Sequence, residues 1–428
     1  MPDKTDDTRS PASDDTSDVA SDVASDALSR KGYGDLFRTP EFTPLFLSSS
    51  AGIAAQTVSG LALGTLVYRA TDSPLLSAVS MFGPSLAQVL GATFFLSGAD
   101  RLPPRATLTG MSLAFAAATA ALALPGLPVW AMFAVVLAQG LVASLGGGVR
   151  WGLLNEILSK DGYLLGRSVF NMMNGVMQIA GYATGGVLVA LLSPRTCLLL
   201  GAGLYVVSAG FTRLLTLRPP RTAGRPSVAA TWRANALLWS SRPRRHVYLA
   251  LWVPNGLVVG CESLYVSYDP RAAGTLFACA AFGMLAGDVT IGRLLPPRYR
   301  PRLGIPLLLL LATPYLAFFL HPPLPLAAVL VALASVGFGA SLVQQERLVA
   351  LTPDELSGHA LGLHSAGMLT LQGVSAALAG TTAQLTSPAT AMTAMSVASL
   401  ATTLALTALS RRHTPDDSLF PPRTAGAV

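Results

Sequence analysis

Glu262 lies in an apolar run where ionised groups are costly, so its carboxyl is a candidate for chemistry. It stands roughly 16 residues, or ~24 Å, from the arginine-rich end of that run at 1.5 Å per residue, in the outer part of a span. A carboxyl there can take up and release a proton as water reaches it; the competing reading is an interfacial or ion-paired structural acid. The same run carries Pro254-Asn255, and a proline frees a backbone carbonyl that only a neighbour or a wet cavity can satisfy. Six further amides lie in apolar runs: Gln56, Gln139, Asn171, Asn174, Gln178 and Gln372. Each must either face water or hydrogen-bond between helices. Glycines four apart (Gly60 and Gly64, Gly181 and Gly185, Gly256 and Gly260, Gly283 and Gly287) read as places where helices approach closely.

A second group of charges lies between the runs. Asp100 with Arg101 and Arg105, and Asp288 with Arg293 and Arg298, fall where the arginine-rich ends of helices meet, so ion pairs there can hold a mouth shut and break on opening. Topology alone would account for the arginines, whereas Asp100 beside cations asks for more. Arg150, Glu156, Glu346 and Arg347 sit at similar ends, facing water or each other. Cys197, Cys261 and Cys279 all fall inside apolar runs without metal or disulfide spacing. His359 and His364 are five apart rather than the four that align two ligands on a helix. No metal, cofactor or nucleophile–base constellation is expected, which argues against a membrane enzyme.

These residues need helices in lipid to position them. The chain is 51% hydrophobic and 12% charged. Its apolar residues run continuously for roughly 18 to 25 residues at a time, the length of a membrane crossing. Runs begin near 44, 74, 106, 128, 167, 195, 246, 271, 303, 324, 358 and 388, which predicts twelve spans. Most connections are short and marked by Pro or Gly, so successive helices should be antiparallel neighbours. The expected organisation is a polar tail over 1–35, a six-helix half over 36–216, a basic linker over 217–245, a second half over 246–410, and a short tail over 411–428. Arginines cluster on one side of this topology, which marks that side and both termini as cytoplasmic. The net charge of +7 is explained by that bias, and no aromatic-interleaved basic face points to nucleic acid.

The two halves also repeat one another. Arg101-Leu-Pro-Pro-Arg105 is echoed by Arg293-Leu-Leu-Pro-Pro-Arg298, and Gln178, Gly186 and Pro194 recur 194 positions later as Gln372, Gly380 and Pro388. Gln178 and Gln372 would then face one central axis symmetrically.

Over 36–410 the chain resembles the major facilitator superfamily, and three local patterns carry the likeness. After the second run, Asp100-Arg101 and Arg105 match the family's loop, with Leu96 where its leading glycine stands. In the fourth, Gln139-Gly140 match, with Val136 at the usual arginine. In the fifth, Gly181-Tyr182-Ala183-Thr184-Gly185-Gly186 is similar to the antiporter pattern, with Tyr182 at the proline. The resemblance implies an all-α polytopic membrane fold of two pseudo-symmetric six-helix bundles that rock about a central cavity. It further implies a monomeric carrier in a bacterial plasma membrane, exporting a small organic molecule against protons. Uptake of a nutrient, or a membrane sensor or scaffold that does not transport, are the alternatives.

Overall fold

The computed structural model describes residues 33–99, 103–158, 160–219, 228–353 and 356–411. Its long helices are α1 (Phe42–Thr71), α2 (Pro74–Ala99), α3 (Pro104–Leu122), α4 (Val129–Ile157), α5 (Lys160–Leu191) and α6 (Pro194–Thr212). After the linker come α7 (Arg242–Tyr268), α8 (Ala273–Leu294), α9 (Arg300–Leu320), α10 (Leu324–Ala350), α11 (Ser357–Leu385) and α12 (Pro388–Arg411). Proline at the first helical position opens α2, α3, α6 and α12, where its missing N–H costs nothing and its fixed φ suits a helix. Among the described residues nine helices are long and apolar enough to cross a membrane; α3, α5 and α11 have the length but are less apolar.

Buried clusters show the alternation of helix direction. Phe42, Leu108, Leu154, Phe170 and Leu215 gather the start of α1, α3 and α5 with the end of α4 and the segment after α6. Val67, Leu122, Met132, Val189 and Cys197 gather the opposite ends of α1, α3 and α5 with the starts of α4 and α6. Successive helices are therefore antiparallel, and the arginine-rich ends share one face, called inner below.

Several helices are interrupted rather than straight. α4 breaks at Ser144 and Leu145, and α10 passes through a 3₁₀ turn at Gly337–Gly339, 193 positions on from Ser144, close to the repeat read in the sequence. α7 breaks immediately after Glu262, at Ser263 and Leu264, before a last turn over Tyr265–Tyr268. Ser263 Oγ donates to Gly260 O at 2.7 Å, a local bond of the kind that competes with helix continuation.

Part of the linker is helical, over Val228–Ser240. Leu238 is fully buried with Tyr248, Leu251, Trp252, Leu348 and Ala360, so tertiary packing stabilises an element too short to stand alone. α7 then begins at Arg242, a turn earlier than its apolar run suggests.

Candidate functional site

Helices from the two halves of the chain meet along two seams, α5 against α8 and α2 against α11. On the first, Gly186 and Gly274 bring two backbones together so closely that a Cβ on Gly186 would stand 2.7 Å from Gly274 Cα. Farther inward a Cβ on Gly175 would meet Leu285 at 3.0 Å. On the second, a Cβ on Gly380 would stand 2.7 Å from Leu75 Cα, and Ser73 Oγ donates to Gln384 Oε1 at 2.7 Å. The tightest backbone approaches across the seams thus lie at the outer end.

The glycines of α5 divide between two partners. A side chain at Gly181 would overlap Thr57 of α1, and one at Gly185 would meet Val58, whereas Gly186 faces α8. Gly64 and Gly283 are close-packed as expected, against Met81 and Ala332. Gly60 is not: it has open space where its Cβ would be, so the packing expected there is corrected.

Between the α1-facing and α8-facing sides of α5 runs a polar stripe. Asn171, Asn174 and Gln178 are spaced three and four apart, which stacks them on one face, and all three are exposed or half-exposed. Gln372 occupies the corresponding position on α11, half-exposed between Leu371, which meets Gly256 of α7, and Gly373, which meets Leu86 of α2. Gln56 of α1 is exposed next to Thr57. Gln139 differs from these, since its Nε2 donates to Thr119 Oγ1 at 3.1 Å and ties α4 to α3.

Four residues beyond Gln178, Tyr182 carries the stripe to the outer end. Its ring stacks on Phe277 of α8 with centroids 4.8 Å apart, and Phe277 meets Tyr265 of α7 edge-on at 4.9 Å. Glu262 lies within this cluster. It is 5% exposed, its Oε1 is buried without a hydrogen-bond partner, and no cation pairs with it among the described residues. Among the described residues it is therefore neither an exposed acid nor an ion-paired one. Cys261, Glu262 and Tyr265 are near neighbours on α7, and all three are buried. Tyr265 and Tyr315 hydrogen-bond to each other through their hydroxyls at 2.5 Å, and both are fully buried.

An ionised carboxylate cannot remain unpaired in so dry a place without large cost, so the closed arrangement suits the protonated acid. Water entering from either mouth would favour its release. The break in α7 at this residue supplies a point where the helix can bend.

One turn of α7 repeats the theme nearer the centre. Asn255 is 1% exposed; its Nδ2 donates to Leu251 O at 2.5 Å and reaches Ser341 Oγ of α10 at 3.4 Å, while its Oδ1 is buried without a partner. Asn255 and Glu262 are seven apart and share a face of α7. Gly256 and Gly260 pack that helix on α11, where a Cβ at Gly260 would stand 2.9 Å from Ser375 O.

At the inner end only part of the expected charge group falls among the described residues. Asp100 and Arg101 lie outside the described residues. Asp288 is exposed, and Arg293 Nη2 donates to Ser168 Oγ of α5 at 2.7 Å, a bond across the seam. Arg298 lies over the ring of its neighbour Tyr299 at 4.8 Å, and Arg105 is half-exposed. Glu156 and Glu346 find cations. Arg218 joins Glu41 at 3.2 Å and Glu156 at 3.3 Å, binding the start of α1 to the end of α4. Arg300 reaches Glu346 at 2.6 Å and the Gly292 carbonyl at 2.9 Å, binding α9 to the ends of α10 and α8. Sequence distance hid both contacts, since nothing local to Arg218 or Arg300 names its partner.

Comparison with known proteins places this arrangement among carriers. The sequence profile of the Major Facilitator Superfamily matches residues 45–345. Similar solved structures include a mutant of the nucleoside transporter NupG, with a TM-score of 0.72 at 15% identity, covering 86% of this chain and 99% of that one. A POT family transporter in complex with a thioalcohol-conjugated peptide superimposes with a TM-score of 0.69 at 10% identity, covering 87% and 96%. A bacterial homolog of the human lysosomal transporter Spinster, inward-facing and unoccupied, gives 0.64 at 15% identity, covering 86% and 94%. No curated protein matches the chain by sequence.

Proposed function

Because the chain belongs to the major facilitator superfamily of membrane transporters, we propose that it moves a small organic molecule out of the cell by alternating access, in exchange for protons bound at Glu262. The observation that carries this reading is the unpaired, buried carboxyl at the break of α7, where the halves meet through the stack of Tyr182 on Phe277. A charge-bearing group without a structural partner is retained in lipid for what it does. In this scheme Asn171, Asn174, Gln178, Gln56, Asn255 and Gln372 offer amides to the cargo, and apolar walls accept an amphipathic body. Arg105, Arg293, Arg298 and Asp288, together with Asp100 and Arg101, form the inner gate.

Export rather than uptake is supported by the antiporter-like Gly181, Gly185 and Gly186. Their close packing on α1 and α8 favours a firmly sealed outer end. The arginine bias supports a bacterial plasma membrane with both termini cytoplasmic, and the two-half design supports a monomer as the working unit.

Untargeted mass spectrometry tests direction and cargo together. The chain is expressed in a bacterial host depleted of its own exporters, and compounds in cells and medium are compared with an expression-matched empty control. Particular compounds shifting to the medium are the expected result. Accumulation inside the cells would establish uptake instead, and no compound-specific shift with folded, membrane-inserted protein would contradict transport of any metabolite that host makes.

A further inference from the structure

The linker helix Val228–Ser240 has two unlike faces. On one, Leu238 is fully buried, while Trp239, 38% exposed and seven positions on from Trp232, stacks at the margin of that face on Trp252 of α7, with centroids 5.6 Å apart and planes 9° from parallel. On the other, Trp232 is 63% and Leu237 54% exposed. Its C-terminal turn is held by Arg244, whose Nη2 donates to Leu237 O at 2.9 Å, and only Ser241 separates it from the inner end of α7. The helix therefore lies at the boundary where a span leaves the bilayer, with tryptophan and leucine uncovered.

Charge identifies what covers them. Seven arginines fall between 218 and 245, and no acidic residue occurs between Asp161 and Glu262. An acidic protein partner would be one way to answer such a field, but a helix beside a membrane-spanning segment has a nearer anionic surface. Tryptophan with arginine at the headgroup level is the chemistry of interfacial helices.

We propose that this linker helix docks on anionic phospholipid of the inner leaflet, with Trp232 and Leu237 seated among the headgroups and Arg242 and Arg245 facing lipid phosphate. Docking is felt by the moving parts. Trp239 rests on Trp252, and Trp252 Nε1 donates to His364 O of α11 at 3.1 Å, so the linker reaches both α7 and α11. The lipid surface thereby biases how these helices tilt when the inner mouth opens.

Hydrogen exchange read by mass spectrometry over the 228–240 peptide tests this without any transport assay. The full chain is placed in nanodiscs of phosphatidylcholine, alone or with phosphatidylglycerol. Exchange in the phosphatidylglycerol discs is expected to be slower by about fivefold for each arginine engaged. The difference should shrink at about 0.5 M salt, where screening is strong. The double variant Arg242→Gln, Arg245→Gln should lose most of the difference while keeping the Leu238 anchor. Equal exchange in the two discs overturns the proposal, as does equal protection from inorganic phosphate added to phosphatidylcholine discs, which would assign a free anion site instead. The lipid comparison uses the unaltered protein, so a variant that fails to fold does not blunt the test.

Discussion

Glu262→Gln is expected to uncouple the carrier without unfolding it. Once a cargo is known, the chain reconstituted in vesicles with a one-unit pH gradient should sustain a cargo ratio of about tenfold, since one proton moved down one pH unit is worth ~1.4 kcal/mol. Glutamine preserves the shape of the protonated acid and its place beside Tyr182, Tyr265 and Tyr315. It cannot release a proton. The ratio should therefore fall to about one, while exchange of labelled for unlabelled cargo continues, because binding and rocking need no proton to leave. A variant that still concentrates cargo would assign Glu262 a structural role and move coupling elsewhere.

The second large effect concerns the outer seam. Gly274→Val places a branched side chain where even a Cβ would overlap the Gly186 backbone. Neither helix can yield at a flexible side-chain end, because the obstacle is main chain. Overpacking of this kind costs about 1–3 kcal/mol. The strain exists only when the outer ends of α5 and α8 are together, so it is relieved by opening them. A cost of about 2 kcal/mol shifts the balance between closed and open states by roughly 30-fold. Transport should drop by a comparable factor, and the outer ends should become accessible to water-soluble reagents. Gly203→Ala is the control, since nothing lies within 4 Å of its Cβ position, and it should behave like the unaltered chain.

The helices were legible because lipid imposes a strong length rule on apolar runs, and prolines such as Pro74, Pro194 and Pro388 mark starts that the structure keeps. The fifth helix begins at Lys160, earlier than its apolar run at about 167, because its first turns hold Lys160 and Asp161 and contribute little hydropathy. The linker helix escaped notice for a related reason: it is short, basic and held by Leu238 packing on α7 rather than by its own propensity.

Glu262 was readable from charge alone, but its surroundings were not. Tyr265, Tyr315 and Phe277 look like ordinary core aromatics in any linear reading, and only the fold brings them to one carboxyl. Tyr182 had a signal that could have been used. It continues the spacing of Asn171, Asn174 and Gln178 on one helical face, and it replaces a proline in the family's pattern. The Arg218 and Arg300 contacts had none, since each joins segments far apart in sequence.

The account rests on protonation of Glu262 being linked to which mouth is closed. That carboxyl is buried with its Oε1 lacking a hydrogen-bond partner, and no cation among the described residues answers its charge. Ionising it in the closed cluster is therefore costly, and high pH should drive the outer ends apart so that water can reach it. Spin labels at the exposed positions Arg69 and Arg271, one in each half, report that separation by pulsed electron resonance, with the native cysteines replaced by alanine. The expected result is a short distance at low pH, a growing long-distance population as pH rises, and a short distance at every pH in Glu262→Gln. Distances that ignore pH in the unaltered site, or that shift equally in the glutamine variant, would contradict the account.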